Sequence, residues 1–345
     1  MSQPMASSYK AAGVDLEAAE ALVDRLKPLA ARTRTPGVES SLGSFGGFFS
    51  FPEPGGKQLL VASIDGVGTK MKVAKLTGQW EGAGYDIVAH CTDDILVHGA
   101  KPLFFLDYIG TSKLDLQVLE SLGRGMAEAC VEARCALLGG ETAEMPGVYL
   151  EGEVDLVGCM IGSVERDCLL TGDQVRAGDQ LLGLASLGLH TNGYSLARHI
   201  LVDNGPGIDA PIPGTQTRIG DALAARHRMY LGAVRERLSR APLHAMAHIT
   251  GGGIPGNLSR VLPRGLGAVV HKDRWAVPPL FRLIQETGKV SEDEMYRVFN
   301  MGIGWMLVVE ADAAQAWQRA LEDEGWGAGI IGEIEEGADG VRLVG

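Results

Sequence analysis

The sequence predicts two domains in which helices and strands are mixed. A chain of 345 residues is long for a single hydrophobic core. Predicted strands and helices alternate up to about Glu165, and a second series begins with the strand-like "QLLGLAS". We therefore expect one domain over residues 1–168 and a second over residues 169–345.

The first half begins with an amphipathic helix, "VDLEAAEALVDRLKPLAART", which has Asp15 near its N-terminus. A loop rich in Gly, Pro and aromatic residues, "SSLGSFGGFFSFPEPGG", follows it. The segment "GAGYDIVAHCTDDILVHGA" is apolar on most sides, which indicates a buried helix. The other predicted elements are the helix "LDLQVLESLGRGMAEACVEA", the strands "KQLLVASID", "PLFFLDYIG" and "VDLVGCMIGSVER", and a strand in "CALLGGETAEMPG" that leads into a Gly-rich loop.

The second half also mixes strands, helices and glycine-rich loops, but its sequence does not convincingly repeat that of the first half. The strand "QLLGLAS" runs into a Gly/His/Asn loop, and "MAHITGGGIPGNLSRVL" reads as a strand, a triple glycine and a helix. A single helix is expected over residues 219–238, after a Pro/Gly-rich loop at residues 205–217. The remaining predicted elements are the helix "YSLARHILVDN", the strands "GAVVH", "GWMLVVE" and "GIIGEI", and a helix between the last two strands.

Composition narrows the class of protein. The net charge of -12 argues against nucleic acid as a partner, because phosphate neutralisation needs clustered Lys and Arg. A small phosphorylated substrate is compatible with it, since backbone N–H groups bind anions without net positive charge. The chain shows no apolar run long enough to span a bilayer, no signal-peptide features in "MSQPMASSYK", and five cysteines without a CxxC pair. We expect a cytoplasmic protein with reduced thiols.

The stretch "DGVGTK", residues 65–70, follows a predicted strand with a carboxylate, two glycines and a cation. It is compatible with a simple turn or with a phosphate-binding loop. A GxxxxGK[ST] P-loop does not occur in the sequence, and the GxGxxG pattern in "GAGIIG" enters a strand instead of following one. We therefore interpret "GAGIIG" as a turn.

Three carboxylates stand at positions that suit a metal. Asp65 and Glu141 come at strand ends, and Asp94 lies at the apolar edge of a buried helix. Magnesium prefers oxygen ligands and is usually shared with substrate phosphates, and Lys70 supplies a charge for a phosphate. The alternatives are a loop-capping role for Asp94, or three unrelated acidic loop residues.

Two glycine-rich loops in the second half carry polar side chains where a strand hands over to a helix. "GLHTNGYS" contains His190, Thr191, Asn192 and Ser195, and "HITGGG" contains His248, Thr250 and the glycines 251–253. Such loops offer N–H donors to a phosphate or a carbonyl oxygen. The histidines fit a structural role as well as a chemical one. "NMGIGW", which contains Asn300, is either a third loop of this kind or a hairpin turn.

Together these stretches closely resemble the phosphoribosylformylglycinamidine cyclo-ligase family, the AIR synthetases of purine biosynthesis. The resemblance covers nearly the whole chain and is carried by "YKAAGVD", "DGVGTK", "DILVHGAKPLFFLDYIGT", "GGETAEMPG", "HTNGYSL", "HITGGG" and "EMYRVFNMGIG". It implies an α+β N-terminal domain that pairs with its twin in a homodimer to form a barrel-like sheet core. It also implies a C-terminal α/β domain and a site in the cleft between the domains.

The resemblance implies ATP-dependent ring closure of formylglycinamidine ribonucleotide to aminoimidazole ribonucleotide, with ADP and phosphate as the other products. ATP would convert the amide oxygen to an imino-phosphate, which the amidine nitrogen then attacks. The implied catalytic residues are Asp65, Lys70, Asp94 and His190, and the implied Mg²⁺ ligands are Asp65, Asp94 and Glu141. The nucleotide would contact Gly66, Gly68, Thr69, Lys70, Asp94, Gly140 and Glu141. The ribonucleotide would contact His190, Thr191, Asn192, Ser195, His248, Thr250, Gly251, Gly252 and Gly253.

Two features depart from the family pattern. Asp93 stands where the family usually has Asn, and its charge either tightens metal binding or faces water. The stretch "LGSFGGFF", a flap over the nucleotide in the family, is slightly altered.

The rival interpretations are another phosphoryl transfer of the superfamily, such as that of thiamine-monophosphate kinase, and a nucleotide-binding homologue without turnover. Selenophosphate synthetase is disfavoured because that enzyme uses a Cys or selenocysteine near its N-terminal Gly-rich loop, whereas the first cysteine of this sequence is Cys91.

Overall fold

The computed structural model describes residues 7–41, 43–238, 242–337 and 340–345, and the chain divides into two compact units. The N-terminal unit spans Tyr9–Leu169, and the C-terminal unit is formed mainly by Leu170–Gly345. The functional division expected over residues 1–168 and 169–345 stays a prediction. Among the described residues, no helix has the length and apolar character that a membrane crossing needs.

The N-terminal unit confirms most of the elements expected in the first half. Its helices are α1 (Leu16–Ala31), α2 (Lys70–Thr77), α3 (Trp80–Leu96) and α4 (Leu116–Ala133). Its strands are β1 (Gly47–Ser50), β2 (Gln58–Gly66), β3 (Lys101–Thr111), β4 (Ala136–Glu144) and β5 (Val154–Glu165). As expected, Asp15 caps α1, because its Oδ1 accepts the N–H of Ala18 at 3.1 Å.

The five strands of this unit form one sheet in the order β1-β2-β5-β3-β4. Only the β3–β4 pair is parallel among these neighbours. α3 and α4 cover one face, here called the inner face, where Leu59, Phe105 and Met160 are fully buried. The side chains of the opposite, outer face are more exposed, because successive residues of a strand point to opposite sides.

α3 and α4 pack at backbone distance through two glycines. A Cβ atom on Gly84 would lie 2.1 Å from the carbonyl oxygen of Leu122, and one on Gly125 would lie 1.9 Å from that of Glu81. This close contact holds α3 against the sheet, and residues from Ala83 to Leu96 are all buried. The expectation of a buried helix at this position is confirmed.

The C-terminal unit is built on a six-stranded sheet with the order β11-β8-β10-β6-β9-β7. Its strands are β6 (Gln180–Ala185), β7 (Leu243–His248), β8 (Leu266–His271), β9 (Ile303–Val309), β10 (Ala328–Glu336) and β11 (Gly340–Val344). Its α-helices are α5 (Tyr194–Arg198), α6 (Ile219–Leu223), α7 (Leu231–Val234), α8 (Gly253–Leu258), α9 (Pro279–Gly288), α10 (Glu292–Val298) and α11 (Ala311–Asp323). Residues 328–332 of "GAGIIG" already belong to β10, and only Gly327, with a left-handed φ of 62°, precedes the strand, so the interpretation of the whole stretch as a turn is wrong.

Several expected elements differ in the structure. The single helix expected over residues 219–238 is broken into α6 and α7, and the residues between them leave helical conformation. Within that segment Arg228 and Tyr230 both donate to the carbonyl oxygen of Ala185, at 3.1 and 2.9 Å. The expected loop over residues 40–56 contains β1, and α2, α9, α10 and β11 were not predicted. Leu42 of that loop lies outside the described residues, as does most of "MSQPMASSYK".

Candidate active site

The stretch "DGVGTK" joins the end of β2 to the start of α2. β2 ends at Gly66, Gly68 adopts a left-handed φ of 65°, and Thr69 stands at the N-terminal cap position before Lys70. The chain therefore reverses within a few residues and presents backbone N–H groups at a helix N-terminus. That arrangement suits the binding of an anion such as a phosphate.

Asp65 and Asp94 come together beside this turn, with His90 between them. His90 Nε2 lies 2.9 Å from Asp65 Oδ2 and 3.6 Å from Asp94 Oδ2. One ligand atom from each of these three residues lies within 4.8 Å of the others. Ser63 Oγ donates to Asp94 Oδ2 at 2.9 Å and helps to orient it. Two carboxylates at this spacing, one of them 47% exposed, fit a magnesium ion that also binds water and phosphate.

His90 takes the part of a cation between the two carboxylates. Burial by itself lowers the pKa of His90, but the nearby carboxylates of Asp65, Asp94 and Asp93 raise it to about 9. Asp93 is fully buried, so the alternative in which it simply faces water is wrong. Sequence reasoning gave His90 no role. Its contact with Asp65 depends on how α3 packs on β2.

Glu141 does not join Asp65 and Asp94 within the chain. Asp65 pairs with Gly158, Gly158 with Asp107, and Asp107 with Gly140, so the strand of Glu141 lies three strands away from Asp65. Three strand spacings of about 4.8 Å amount to roughly 14 Å.

Glu141 also faces the other side of the sheet. Cross-strand partners point to the same side of a sheet, so Gly140 shares its face with Asp107 and Asp65, and a Cβ atom on Gly140 would lie 2.4 Å from Asp107 Oδ1. Glu141 is the next residue of the strand and therefore points to the opposite side. Within a single chain the structure thus does not bring Glu141 to Asp65 and Asp94, and the Asp65–Asp94–Glu141 metal set stays a prediction. Glu141 is also part of β4 itself, where a position after the strand was expected. The nucleotide contacts expected of Gly140 and Glu141 stay predictions.

Lys70 is buried in an ion pair. Its Nζ lies 2.6 Å from Asp86 Oδ2 on α3, and Lys70 is only 2% exposed. Burial lowers the pKa of Lys70, and the charge of Asp86 and its hydrogen bond act in the opposite direction. Direct contact between this ammonium and a phosphate would require Nζ to become accessible, because Lys70 is almost fully buried. In the structure Lys70 fixes the first turn of α2 to α3.

A cavity of about 690 Å³ lies next to the Asp65–Asp94 cluster in the N-terminal unit. Ser63 and Ile64 of β2 line one wall, and the last turns of α1 line another. The rest of the lining comes from the Gly-rich segment, including Ser44 and Gly46. The volume is within the range of small-molecule and cofactor sites. The segment expected to be a flap thus borders a cavity that is large enough for a nucleotide.

The two polar loops of the C-terminal unit lie side by side. His190 adopts a left-handed φ of 62°, Gly193 follows with a φ of 80°, and α5 then begins. A Cβ atom on Gly251 would lie 3.2 Å from Asn192 Oδ1, so "HTNG" and "TGGG" are in contact. His190 and Thr191 are buried, whereas Asn192 is part-buried. Ser195 lies in the first turn of α5.

Buried asparagines hold these loops in shape. Asn257 Nδ2 donates to the carbonyl oxygens of Thr250, Gly251 and Gly253, and Asn257 Oδ1 accepts from Thr250 Oγ1 at 3.1 Å. Gly252 and Gly253 both adopt left-handed φ values there. Sequence reasoning had given Asn257 no role.

Asn300 shapes the neighbouring turn. Its Nδ2 donates to the carbonyl oxygen of Gly188 at 2.9 Å, and its Oδ1 accepts the N–H of Gly302 at 2.9 Å. Residues 300–302 of "NMGIGW" thus form a turn before β9, and this turn also braces the segment leading to His190.

The comparisons with known proteins agree along the whole chain. Residues 48–164 match the family described as AIR synthase related protein, N-terminal domain, and residues 176–345 match its C-terminal domain. A protein of Myxococcus xanthus named phosphoribosylformylglycinamidine cyclo-ligase is 48% identical over 337 residues, covering 96% of this chain and 97% of its own. Its namesake in Geobacter sulfurreducens is 46% identical over 342 residues, 98% of each chain.

Solved structures share the fold at lower identity. AaThiL complexed with AMPPCP and TMP has a TM-score of 0.64 at 15% identity, covering 93% of this chain and 92% of its own. T. maritima PurL complexed with AMPPCP has a TM-score of 0.55 at 16% identity, covering 83% of this chain and 42% of its own. The named cyclo-ligases are far more similar to this chain in sequence than these solved structures are. The chain belongs to the phosphoribosylformylglycinamidine cyclo-ligase family.

Proposed function

We propose that this protein closes the imidazole ring of formylglycinamidine ribonucleotide in an ATP-dependent reaction that yields aminoimidazole ribonucleotide, ADP and phosphate. Identity above 40% to cyclo-ligases over nearly the full chain is the single observation that carries the reaction. The thiamine-monophosphate kinase alternative is not favoured, because AaThiL shares the fold at only 15% identity. The expected cytoplasmic location stays a prediction.

The N-terminal unit would bind ATP and magnesium. Asp65 and Asp94 would hold the ion, which would neutralise phosphate charge as the phosphoryl group is transferred. Gly66, Gly68 and Thr69 would supply backbone N–H groups to phosphate oxygens at the start of α2. The nearby cavity of about 690 Å³ supports this role, as does the complex of AaThiL with AMPPCP.

The C-terminal unit would bind the ribonucleotide. The loops containing Asn192 and Thr250 offer hydroxyl, amide and backbone N–H groups to the 5′-phosphate of the substrate. Ser195, His248 and the glycines 251–253 would complete this surface or its support. His190 would act as general acid or base in ring closure, since an imidazole titrates near neutral pH.

The same chain would form a homodimer through the outer face of the N-terminal sheet. Ile64 is 69% exposed, and it neighbours other apolar side chains of this face, such as Phe104, Leu106 and Ile161. β3 and β5 are interior strands of the sheet, so a second copy would cover their outer face and not a strand edge. An exposed apolar face is a better reason for pairing, because such a surface marks an interaction site.

The test of the metal assignment compares three carboxylates. Asp65→Asn and Asp94→Asn should weaken the binding of Mg-ATP by at least about tenfold, since each removes a charged ligand. Glu120→Gln is the matched control, because this carboxylate lies on α4 with its side chain 72% exposed and has no proposed contact with the nucleotide. Calorimetric titration measures the affinity of each variant for Mg-ATP. A separate activity assay with ATP, Mg²⁺ and formylglycinamidine ribonucleotide identifies aminoimidazole ribonucleotide as the product. Equal losses in all three variants would reject the assignment.

The test of the C-terminal loops uses different variants. Asn192→Ala and His190→Ala should raise the KM for the ribonucleotide or lower kcat while the affinity for ATP stays nearly constant. If either variant instead loses ATP binding and keeps its affinity for the ribonucleotide, the two units have been assigned the wrong way round. Thiamine monophosphate, offered as an alternative substrate, should give no product.

A further inference from the structure

Three buried imidazoles lie against one another in the C-terminal unit. The rings of His190 and His227 are stacked, with centroids 4.1 Å apart and an interplanar angle of 29°. His227 Nε2 lies 3.2 Å from His248 Nε2, and these two rings meet edge to face. His190 and His248 belong to the candidate site, whereas His227 comes from the irregular segment between α6 and α7 and had no assigned role.

The backbone of His190 adopts a conformation that needs support. Its φ of 62° lies in the left-handed region, which a residue with a Cβ atom adopts at a cost. Such a conformation persists only when the surrounding structure holds it in place. The side chain of His190 is therefore the natural place to look for what holds it.

Two neighbours confine the His190 ring from different directions. The His227 ring lies on it at stacking distance. The backbone of Gly304 on β9 also approaches it, since a Cβ atom at Gly304 would lie 2.3 Å from His190 Cε1. A side chain at position 304 would meet both the His190 imidazole and Tyr230 Oη, which would lie 2.2 Å from such a Cβ atom, so the glycine makes room for both rings.

His227 is itself fixed by hydrogen bonding. A bond between two Nε2 atoms needs one donor and one acceptor, so the His227 and His248 rings carry complementary protonation at these atoms. His248 ends β7, which pairs with β9. The chain of contacts thus runs from the sheet through His248 and His227 to His190.

We propose that His227 is a positioning residue for ring closure, which together with Gly304 clamps the His190 imidazole in one orientation. The inference rests on the proposed role of His190 in that reaction. His227 does not touch the substrate in this account. It acts by keeping His190 and the adjoining Thr191 and Asn192 in the geometry that the reaction requires, and small misplacements of such groups reduce rates strongly.

The experiment tests whether the stacked ring at position 227, and not just any side chain there, holds His190 in place. His227→Ala removes the stacked ring and should lower kcat/KM for the ribonucleotide by about 100-fold, while the KM for ATP stays unchanged. His227→Phe keeps a flat ring but loses the bond to His248, so it should recover part of that loss. Thermal unfolding of each variant, followed in parallel, shows whether it is folded at the assay temperature.

A second arm approaches the ring from the other side. Gly304→Ala should displace the His190 ring, together with the Tyr230 hydroxyl, and cause a similar loss for the ribonucleotide alone. Gly329→Ala on β10 is the matched control in the same sheet, because the nearest atom to its Cβ would be 3.9 Å away. It should behave like the unchanged protein.

The outcomes distinguish this proposal from the function on which it rests. If His190→Ala is impaired while His227→Ala is fully active, the clamp is overturned and the role of His190 stands. If folded His227→Phe is as impaired as His227→Ala, stacking is not the cause and the clamp is again overturned. If His190→Ala itself is fully active, both the role of His190 and the clamp fail.

Discussion

At the scale of single residues, two clusters of the N-terminal unit set buried charges against opposite charges. Lys70 meets Asp86 in the core of the N-terminal unit, and His90 meets Asp65 and Asp94 at its candidate metal site. A buried charge without such a partner would be costly, so these arrangements limit which substitutions the fold accepts. The partly exposed pair of Glu39 and Arg166 offers the clearest test.

Glu39 should make stability depend on acid pH. The hydrogen bond from Arg166 is the main cause that lowers the pKa of Glu39, with a second from Ser50, and the pKa falls from 4.5 to about 2. Arg166 Nη2 donates to Glu39 Oε1 at 2.6 Å. Because the folded pKa is lower than the unfolded one, the carboxylate stabilises the fold fully above pH 4.5. This contribution disappears as pH falls through about 2.

Urea unfolding of the intact chain and of Glu39→Gln checks this dependence. The variant should be less stable at about pH 6, and the difference should shrink at about pH 3, where the unfolded carboxylate is already protonated. Glu120→Gln, on the exposed surface of α4, should change the midpoint little at either pH. A constant difference for Glu39→Gln would contradict the proposed linkage.

At the scale of elements, the packing of α3 on α4 depends on what a glycine lacks. Gly84 and Gly125 let the two backbones touch, and Gly123, only two residues from Gly125, meets nothing within 4 Å of its Cβ position. Of the two glycines of α4, Gly123 therefore has room for a methyl group, whereas Gly125 does not. The contact matters for function because α3 carries both His90 and Asp94.

The two glycines of α4 should respond oppositely to alanine. Gly125→Ala would bring a methyl group to 1.9 Å from the carbonyl oxygen of Glu81 and should destabilise the chain by about 1–3 kcal/mol or more. Gly123→Ala should stabilise it by about 0.5–1 kcal/mol, because alanine favours a helix interior. Chemical denaturation of both variants measures the difference. Equal effects of the two substitutions would refute this account of the helix contact.

At the scale of the whole molecule, the N-terminal sheet has one face covered by helices and one exposed apolar face. Burying apolar surface is the main favourable term in association, so the outer face should be covered by a second copy. The proposed homodimer follows from this asymmetry between the two faces. It requires no feature of the C-terminal unit.

A lysine on the outer face should separate the dimer. Ile64→Lys would place a charge in a surface that is dry when paired, so we expect a monomer by light scattering at micromolar concentration. Val131→Lys is the control, since Val131 is 78% exposed on α4 and lies away from that face. A stable monomer of the unchanged protein, or a dimer that survives Ile64→Lys, would disprove this interface.

The sequence by itself determined the features that depend on neighbouring residues. Apolar periodicity predicted β2, α3 and β5, because each pattern repeats within a few residues. Glycines after Asp65 predicted a sharp turn, since a left-handed φ like that of Gly68 favours glycine. The family motifs predicted the cyclo-ligase family, which the comparisons confirm.

Only the tertiary structure decided how distant segments meet. Glu141 lies apart from Asp65 because β5 and β3 stand between their strands, and strand order is not a local property. The contacts of His227 with His190 and His248 join positions far apart in the chain, so no spacing rule reveals them. The helix expected over residues 219–238 breaks for the same reason, because Arg228 and Tyr230 find their acceptor on β6, and such long-range contacts override local helix propensity.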